Sequence, residues 1–343
     1  MSSDESDKIC KDGVLNSDGV CNIIGKLHNM STVDKEDIAL SVCANCGKEG
    51  SSDNMNTCNK CTQVKYCNAV CKKKHRSKHK KECEEYVRLA AEKHNEELRI
   101  AAELHDEKLF KQPPPEDDDC PICFLRMPCI GTKYFYMACC GKAICSGCIH
   151  AVQSRVTKIE HDVCPFCRKQ APYSDEEMIK RYEIRVNMND PIGILDFGCM
   201  YRNGECGLPQ NHAKALELWH KAGELGCTRA YLTIGSAYDN GRGVDVDKKK
   251  AIHYYELAAM GGSADARFNL GLMEWKAGNK ERALKHFMIA AKDGDSESMM
   301  FIKGMYKYGD ATKDDYANAL QSYQAYLDEV KSDQRDQAAA ADE

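Results

Sequence analysis

Cys120-Pro121-Ile122-Cys123, then Cys139-Cys140-Gly141-Lys142-Ala143-Ile144-Cys145-Ser146-Gly147-Cys148, then Cys164-Pro165-Phe166-Cys167-Arg168: this stretch decides how the chain is read. Three cysteine pairs with two intervening residues, joined by one adjacent pair, supply eight thiolates, which matches the ligand requirement of two tetrahedral zinc ions. Burial in an ordinary core gives no reason for so regular a spacing.

The order of these pairs resembles a RING finger, in which the pairs interleave. The resemblance implies that Cys120, Cys123, Cys145 and Cys148 form one site, and that Cys139, Cys140, Cys164 and Cys167 form the second. Lys142 stands where many RING fingers place a ligating histidine, and an ammonium cannot bind zinc. The tandem Cys139 and Cys140 then complete an all-cysteine variant, with Cys129 as the alternative ligand.

Working outward, 343 residues leave room for two or three domains, and a hydrophobic share of 43% with 29% charged residues is ordinary for a soluble protein. No N-terminal signal segment is visible, and no apolar run approaches the roughly 20 residues of a membrane helix. The expectation is a cytoplasmic or nuclear protein without a membrane partner, in which zinc rather than disulfides accounts for most of the 21 cysteines, with Cys10, Cys21, Cys129, Cys199, Cys206 and Cys227 outside the ligand sets. A formal net charge of −5 does not indicate a generally basic, nucleic-acid-binding chain.

Residues 1–40 carry Asp4, Glu5, Asp7, Asp12 and Asp18 among Ser, Gly and Asn, and read as a disordered acidic tail. A second metal pattern spans 43–83: Cys43, Cys46, Cys58, Cys61, Cys67, Cys71, His79 and Cys83. His79 and Cys83 are four apart, so a helix would present both from one face. The spacing resembles a MYND zinc finger. That resemblance implies one zinc on Cys43, Cys46, Cys67 and Cys71 and another on Cys58, Cys61, His79 and Cys83, with His75 as a competing ligand. Arg76 stands where the family usually has an aromatic residue. With the RING-like pairs, four Zn2+ per chain are expected. Lys72, Lys73, Lys74, Arg76, Lys78, Lys80 and Lys81 crowd the last ligands, and read either as a solvated face balancing the thiolates or as a patch for import or phosphate binding.

Residues 84–112 form the expected linker helix, since 84–111 lack Gly and Pro and are rich in Glu, Ala, Leu and Lys. Val87, Ala91, Leu98, Ala101 and Leu104 trace a stripe along it. Residues 113–119, beginning with Pro113-Pro114-Pro115, form a stiff acidic connector to the module at 120–168.

After that module a repeat takes over. Ala215, Ala251, Ala283 and Ala319 keep the same intervals as Trp219, Tyr255, Phe287 and Tyr323, while Gly226, Gly262 and Gly294 close successive units. Asp190-Pro191 marks the first helix start, with Asp as cap and Pro in the first turn. The aromatic column is expected to fill the space between neighbouring units. One helix pair cannot cover its own apolar face, so about four stacked pairs make an α-solenoid over 188–328. These units resemble Sel-one-like, tetratricopeptide-related repeats, weakest in the fourth, where Lys303 replaces the small Gly235 and Gly271. Residues 331–343 read as a disordered tail. The fold class is therefore multidomain: two small cross-braced zinc modules joined by a helix, then an all-α solenoid of about four helix pairs.

No Gly-rich phosphate loop, nucleophile elbow or paired-carboxylate arrangement stands out. Resemblance to RING ligases implies docking of a ubiquitin-loaded conjugating enzyme, without a covalent intermediate. Ile122 and Pro165 would supply apolar contacts, Val152 stands where many ligases put Trp, and Arg168 matches the arginine that bridges conjugating enzyme and ubiquitin. In the alternative, the chain is a non-catalytic adaptor whose MYND-like finger takes a proline-containing peptide and whose solenoid binds a second protein.

Overall fold

The structure is a computed structural model and describes residues 40–51, 54–111, 119–127, 134–154 and 163–341. The expected tail up to residue 39, most of the proline connector and Cys129 lie outside the described residues. The chain divides into two compact units between Glu107 and Lys108.

In the first unit, β1 (Leu40–Val42) pairs antiparallel with β2 (Glu49–Ser51), and β3 (Asn56–Thr57) with β4 (Lys65–Tyr66). Helix α1 then runs from Ala69 to Phe110 without a break. It begins well before the expected start at residue 84, because the last finger ligands are themselves helical. Residues 84–104 are exposed all round, so Val87, Leu98 and Leu104 are uncovered rather than packed. Such a helix is held by side-chain pairs along its surface. Arg88 reaches Glu92 at 2.9 Å, and Arg99 bonds both Glu96 and Glu103 at 2.6 Å.

The second unit contains both the RING-like module and the helical repeats. Strands β5 (Tyr134–Met137) and β6 (Lys142–Cys145) form an antiparallel hairpin that feeds α2 (Ser146–Gln153). Helix α3 (Asp175–Asn187) follows, capped by Ser174. Eight helices then form four successive pairs: α4 (Pro191–Asn203) with α5 (His212–Glu224), α6 (Thr228–Asn240) with α7 (Lys248–Met260), α8 (Ala264–Lys276) with α9 (Lys280–Lys292), and α10 (Ser296–Tyr308) with α11 (Lys313–Val330). Asp190, Asn211, Asp247, Ser263, Asp295 and Thr312 each cap a helix by accepting a backbone N–H.

The repeated glycines are explained by the aromatic column. A Cβ at Gly198 would meet Trp219 at 2.6 Å, at Gly235 Tyr255 at 2.7 Å, and at Gly271 Phe287 at 2.6 Å. Each ring therefore lies against the glycine of its own pair, a tighter arrangement than the expected filling between units. Phe287 does both, since it also stacks on Phe301 of the next unit at 5.0 Å. In the fourth pair the equivalent Lys303 is exposed, and α11 is longer, packing on α9 as well as α10. Leu109 is buried in the cluster of Ala251, Tyr255 and Leu270, and Phe110 lies 4.7 Å from the His286 ring.

One expectation is corrected here. The segment after Lys331 forms helix α12 (Asp333–Ala341), with Arg335 and Ala338 buried, and it packs on α2 of the RING-like module. The RING-like module also contacts the first repeat helices. It shares one compact unit with the repeats, through the contacts described next.

Candidate metal centres

Four of the five Cys-x-x-Cys pairs form turns built by the same two backbone hydrogen bonds, while Cys145 and Cys148 lie at the start of α2. The N–H four residues after the first cysteine returns to that cysteine's carbonyl: Gly47 to Cys43 at 2.9 Å, Thr62 to Cys58 at 3.0 Å, Phe124 to Cys120 at 2.8 Å and Arg168 to Cys164 at 2.9 Å. The cysteine N–H in turn donates to a carbonyl one or two residues further on, as Cys120 does to Leu125 at 3.0 Å. Closing so tight a loop requires the returning residue to adopt positive φ: 71° at Gly47, 56° at Thr62, 56° at Phe124 and 62° at Arg168. Only one of the four is glycine, so three turns hold a side chain in a conformation that L-residues disfavour.

The turns gather four ligand groups: Cys43, Cys46, Cys67 and Cys71; Cys58, Cys61, His79 and Cys83; Cys120, Cys123, Cys145 and Cys148; Cys139, Cys140, Cys164 and Cys167. Within each, all donor atoms lie within 4.8 Å of one another. Tetrahedral zinc with bonds of about 2.3 Å to sulfur needs sulfurs about 3.8 Å apart. The separations fit: Cys46 to Cys67 3.6 Å, Cys58 to Cys83 3.7 Å, Cys120 to Cys148 and Cys123 to Cys145 3.8 Å, and Cys140 to Cys164 3.9 Å. They are far too long for disulfides, and every described cysteine is a free thiol. His79 turns Nε2 to within 3.3 Å of Cys61 Sγ, with Nδ1 3.6 Å from Glu82. His75 stands aside, 3.3 Å from the Tyr66 hydroxyl, and Lys142 is exposed on β6.

The backbone also prepares the thiolates. The Cys67 amide, with those of Asn45 and Cys46, holds the Cys43 thiol down to about 6. Burial works against ionisation of Cys58 and Cys120, but amides of Cys61 and Lys60 bring Cys58 to about 6, and amides of Cys145, Cys123 and Ile122 bring Cys120 to about 7. Other members move the opposite way: burial and the neighbouring Cys71 thiol push Cys67 up to about 12. A cluster that favours some thiolates, and cannot ionise the rest without positive charge, is a donor set suited to a dication.

The second RING-like group is braced from α3 and α4. Arg185 donates at 2.8 Å to the carbonyls of Ala138 and Cys139, and Tyr136 donates to Asp190 at 2.6 Å. Gly141 and Gly193 permit this, because a Cβ at either would collide with Arg185. The first group is approached from the other end of the repeats. Arg126 reaches Glu329 at 3.3 Å and Asp293 at 3.9 Å, with its guanidinium 5.6 Å from the centre of the Tyr326 ring. Sequence reasoning singled out Asp190 only as a helix cap and did not name Arg185, Tyr136 or Arg126, which nothing local distinguishes from ordinary polar positions.

Of the residues assigned to conjugating-enzyme docking, Ile122 is 36% exposed, Arg168 is exposed, and Pro165 and Val152 are half-buried. Phe124, 77% exposed beside Cys123, adds an aromatic surface that the sequence reading did not name. A separate cavity of about 440 Å³ lies among the repeats, lined in part by Arg202, Trp219, Arg242, Asp265, Phe268 and Glu297. No helix among the described residues is long and apolar enough to cross a membrane.

Comparison with known proteins places two of these parts. Residues 43–83 match the MYND finger family, and 195–227, 229–263 and 264–295 match the Sel1 repeat. The chain is 30% identical over 131 residues to chitin synthase regulatory factor 4 of Schizosaccharomyces pombe, covering 38% of this chain and 21% of that protein. It is 41% identical over 75 residues to the ERAD-associated E3 ubiquitin-protein ligase component HRD3A of Arabidopsis thaliana, covering 22% of this chain and 11% of that one. The matches thus span about a fifth and about a tenth of these relatives' lengths. Among solved structures, a Sel1 repeat protein from Oxalobacter formigenes aligns with 27% identity and a TM-score of 0.38, over 49% of this chain and 64% of that one. The chain carries a MYND finger and Sel1 repeats, modules that support a role in protein–protein interaction.

Proposed function

We propose that this MYND-finger and Sel1-repeat protein is a RING-type ubiquitin ligase whose repeats and MYND finger recruit protein partners. The observation that carries the reading is the interleaved pairing: Cys120 and Cys123 meet Cys145 and Cys148, while Cys139 and Cys140 meet Cys164 and Cys167 across them. In this reading each of the four ligand groups takes one zinc, and the metal, when bound, supplies structural pinning rather than reaction chemistry. The chain's own residues do the rest. Ile122 and Pro165, each between two ligands, and Val152 on α2 offer apolar contacts to a ubiquitin-conjugating enzyme. Arg168 sits next to the last ligand, and its five donors in fixed geometry suit a bridge between that enzyme and its ubiquitin. Catalysis would be by orientation, holding the thioester toward an attacking lysine.

The test is autoubiquitination with a panel of conjugating enzymes. Arg168→Ala and Ile122→Ala are expected to lose transfer while keeping wild-type zinc content. Equal activity in both variants, or no activity in the native chain with any enzyme, would sink the ligase reading.

A second reading, a non-catalytic adaptor, is favoured by the names of the relatives, one a regulatory factor and one a ligase component. Here the MYND finger takes a proline-containing peptide. The cavity beside Trp219 and Phe268, with Arg202 and Arg242 as cations and Asp265 and Glu297 as anions, receives a segment of a second protein.

A further inference from the structure

Arg335 lies 212 positions from Cys123, yet its Nη2 is 4.0 Å from the Cys123 sulfur and 3.4 Å from the Leu125 carbonyl. Its Nη1 donates to the Val330 carbonyl at 2.8 Å, and the residue is only 9% exposed. The same residue presses on the other ligand-bearing segment. A Cβ at Gly147, between Cys145 and Cys148, would stand 2.8 Å from the Arg335 backbone nitrogen and 2.8 Å from its Cγ. One residue of α12 therefore touches both halves of the first RING-like ligand group, and Gly147 is what lets the backbones approach so closely.

Charge explains why an arginine stands there. Four thiolates around a dication carry a net charge of −2, and a buried guanidinium requires a compensating anion. Among the described residues no carboxylate forms an ion pair with Arg335; its recorded partners are two carbonyls, the Ser332 cap and the Cys123 sulfur. The metal-bound thiolate cluster is the anion available to it. Hydrogen bonds from outside the ligand set fix ligand orientation and strengthen metal binding.

We infer that Arg335 is an outer partner of the Cys120, Cys123, Cys145 and Cys148 site, and that helix α12 is a clasp that slows loss of zinc from it. The inference rests on reading that group as a zinc site. It makes metal retention in the RING-like module depend on helix α12.

The test follows zinc release from the full-length, zinc-loaded protein into the chromogenic chelator 4-(2-pyridylazo)resorcinol. Arg335→Gln keeps a polar, hydrogen-bonding side chain, though a shorter one, and removes its charge; a chain ending at Val330 removes the clasp outright. In each, one zinc equivalent is expected to leave about 10- to 100-fold faster than in the native protein, with the others unchanged. Far-UV circular dichroism identifies which variants are folded, and either folded variant suffices. Release at the native rate from a folded variant overturns the clasp. If Cys120→Ser leaves the zinc content of the protein unchanged, the metal reading of the site fails instead, a distinct result.

Discussion

Asp190 uses its two carboxylate oxygens for two different tasks: Oδ1 accepts the Gly193 N–H at 3.2 Å and caps α4, while Oδ2 accepts the Tyr136 hydroxyl at 2.6 Å. The RING-like hairpin is thereby tied to the start of the first repeat helix. Tyr136→Phe removes a charge-assisted hydrogen bond and is expected to cost about 1.5–3 kcal/mol. Asp190→Ala also loses the cap and should cost about 1 kcal/mol more. Urea denaturation followed by circular dichroism reads both. Equal stability of Tyr136→Phe and the native chain would show that the tie contributes nothing.

Chelation provides a broader check of the same coupling. Independent domains would leave the repeats untouched when the RING-like module loses metal. With Arg185, Asp190, Arg126 and Arg335 all engaged across the boundary, stripping the zinc is expected to weaken both ends of the repeat array. Hydrogen exchange should show protection lost near residues 185–193 and 326–341, and largely kept in 228–292. Uniform retention along the array would refute the coupling.

Arg168 allows fold and function to be separated. It holds φ at 62°, a conformation costing an L-residue roughly 1–2 kcal/mol that glycine does not incur. Arg168→Gly is therefore expected to raise stability by about 1 kcal/mol while abolishing the ubiquitin transfer proposed above. A variant that loses both stability and activity would assign Arg168 a structural role instead.

Asp196 on α4 should leave a signature in the pH dependence of stability. Burial, with a smaller contribution from Asp190, pushes its carboxyl from 3.8 up to about 7. The folded chain keeps this proton up to about pH 7, whereas the unfolded chain releases it near pH 4. Its favourable contribution is thus fully present below about pH 4 and is lost as the pH rises through 7. Asp196→Asn should melt with the native chain near pH 4 and at a higher temperature at pH 8. Identical melting curves across that range would rule out a buried, protonated Asp196.

Much of this was legible because cysteine ligands and repeat columns leave regular intervals. The spacing from Cys43 to Cys83 and from Cys120 to Cys167 marks the ligands, the resemblance to MYND and RING fingers implies which of them meet, and the alanine and aromatic columns indicate the paired helices. The bracing was not legible. Arg185 and Arg335 act on backbone carbonyls and a sulfur far away in sequence, and nothing local distinguishes them from solvated arginines. Helix α12 was missed for a related reason: Asp333 to Ala341 has few apolar residues of its own, and packs through buried Arg335 and Ala338, with Arg335 against Gly147. The turn geometry at Thr62, Phe124 and Arg168 escaped because positive φ is usually signalled by glycine, which only Gly47 provides.

Arrays of stacked helix pairs ordinarily gain or lose a copy without penalty elsewhere, since each copy touches only its neighbours. Here one small body grips Asp190 ahead of the first pair and Glu329 within the last. That body acts as a caliper whose two jaws are set to the four pairs between them. Insertion or deletion of a single copy would pull one jaw away from its seat, so a change in copy number here would be felt in the module that binds metal.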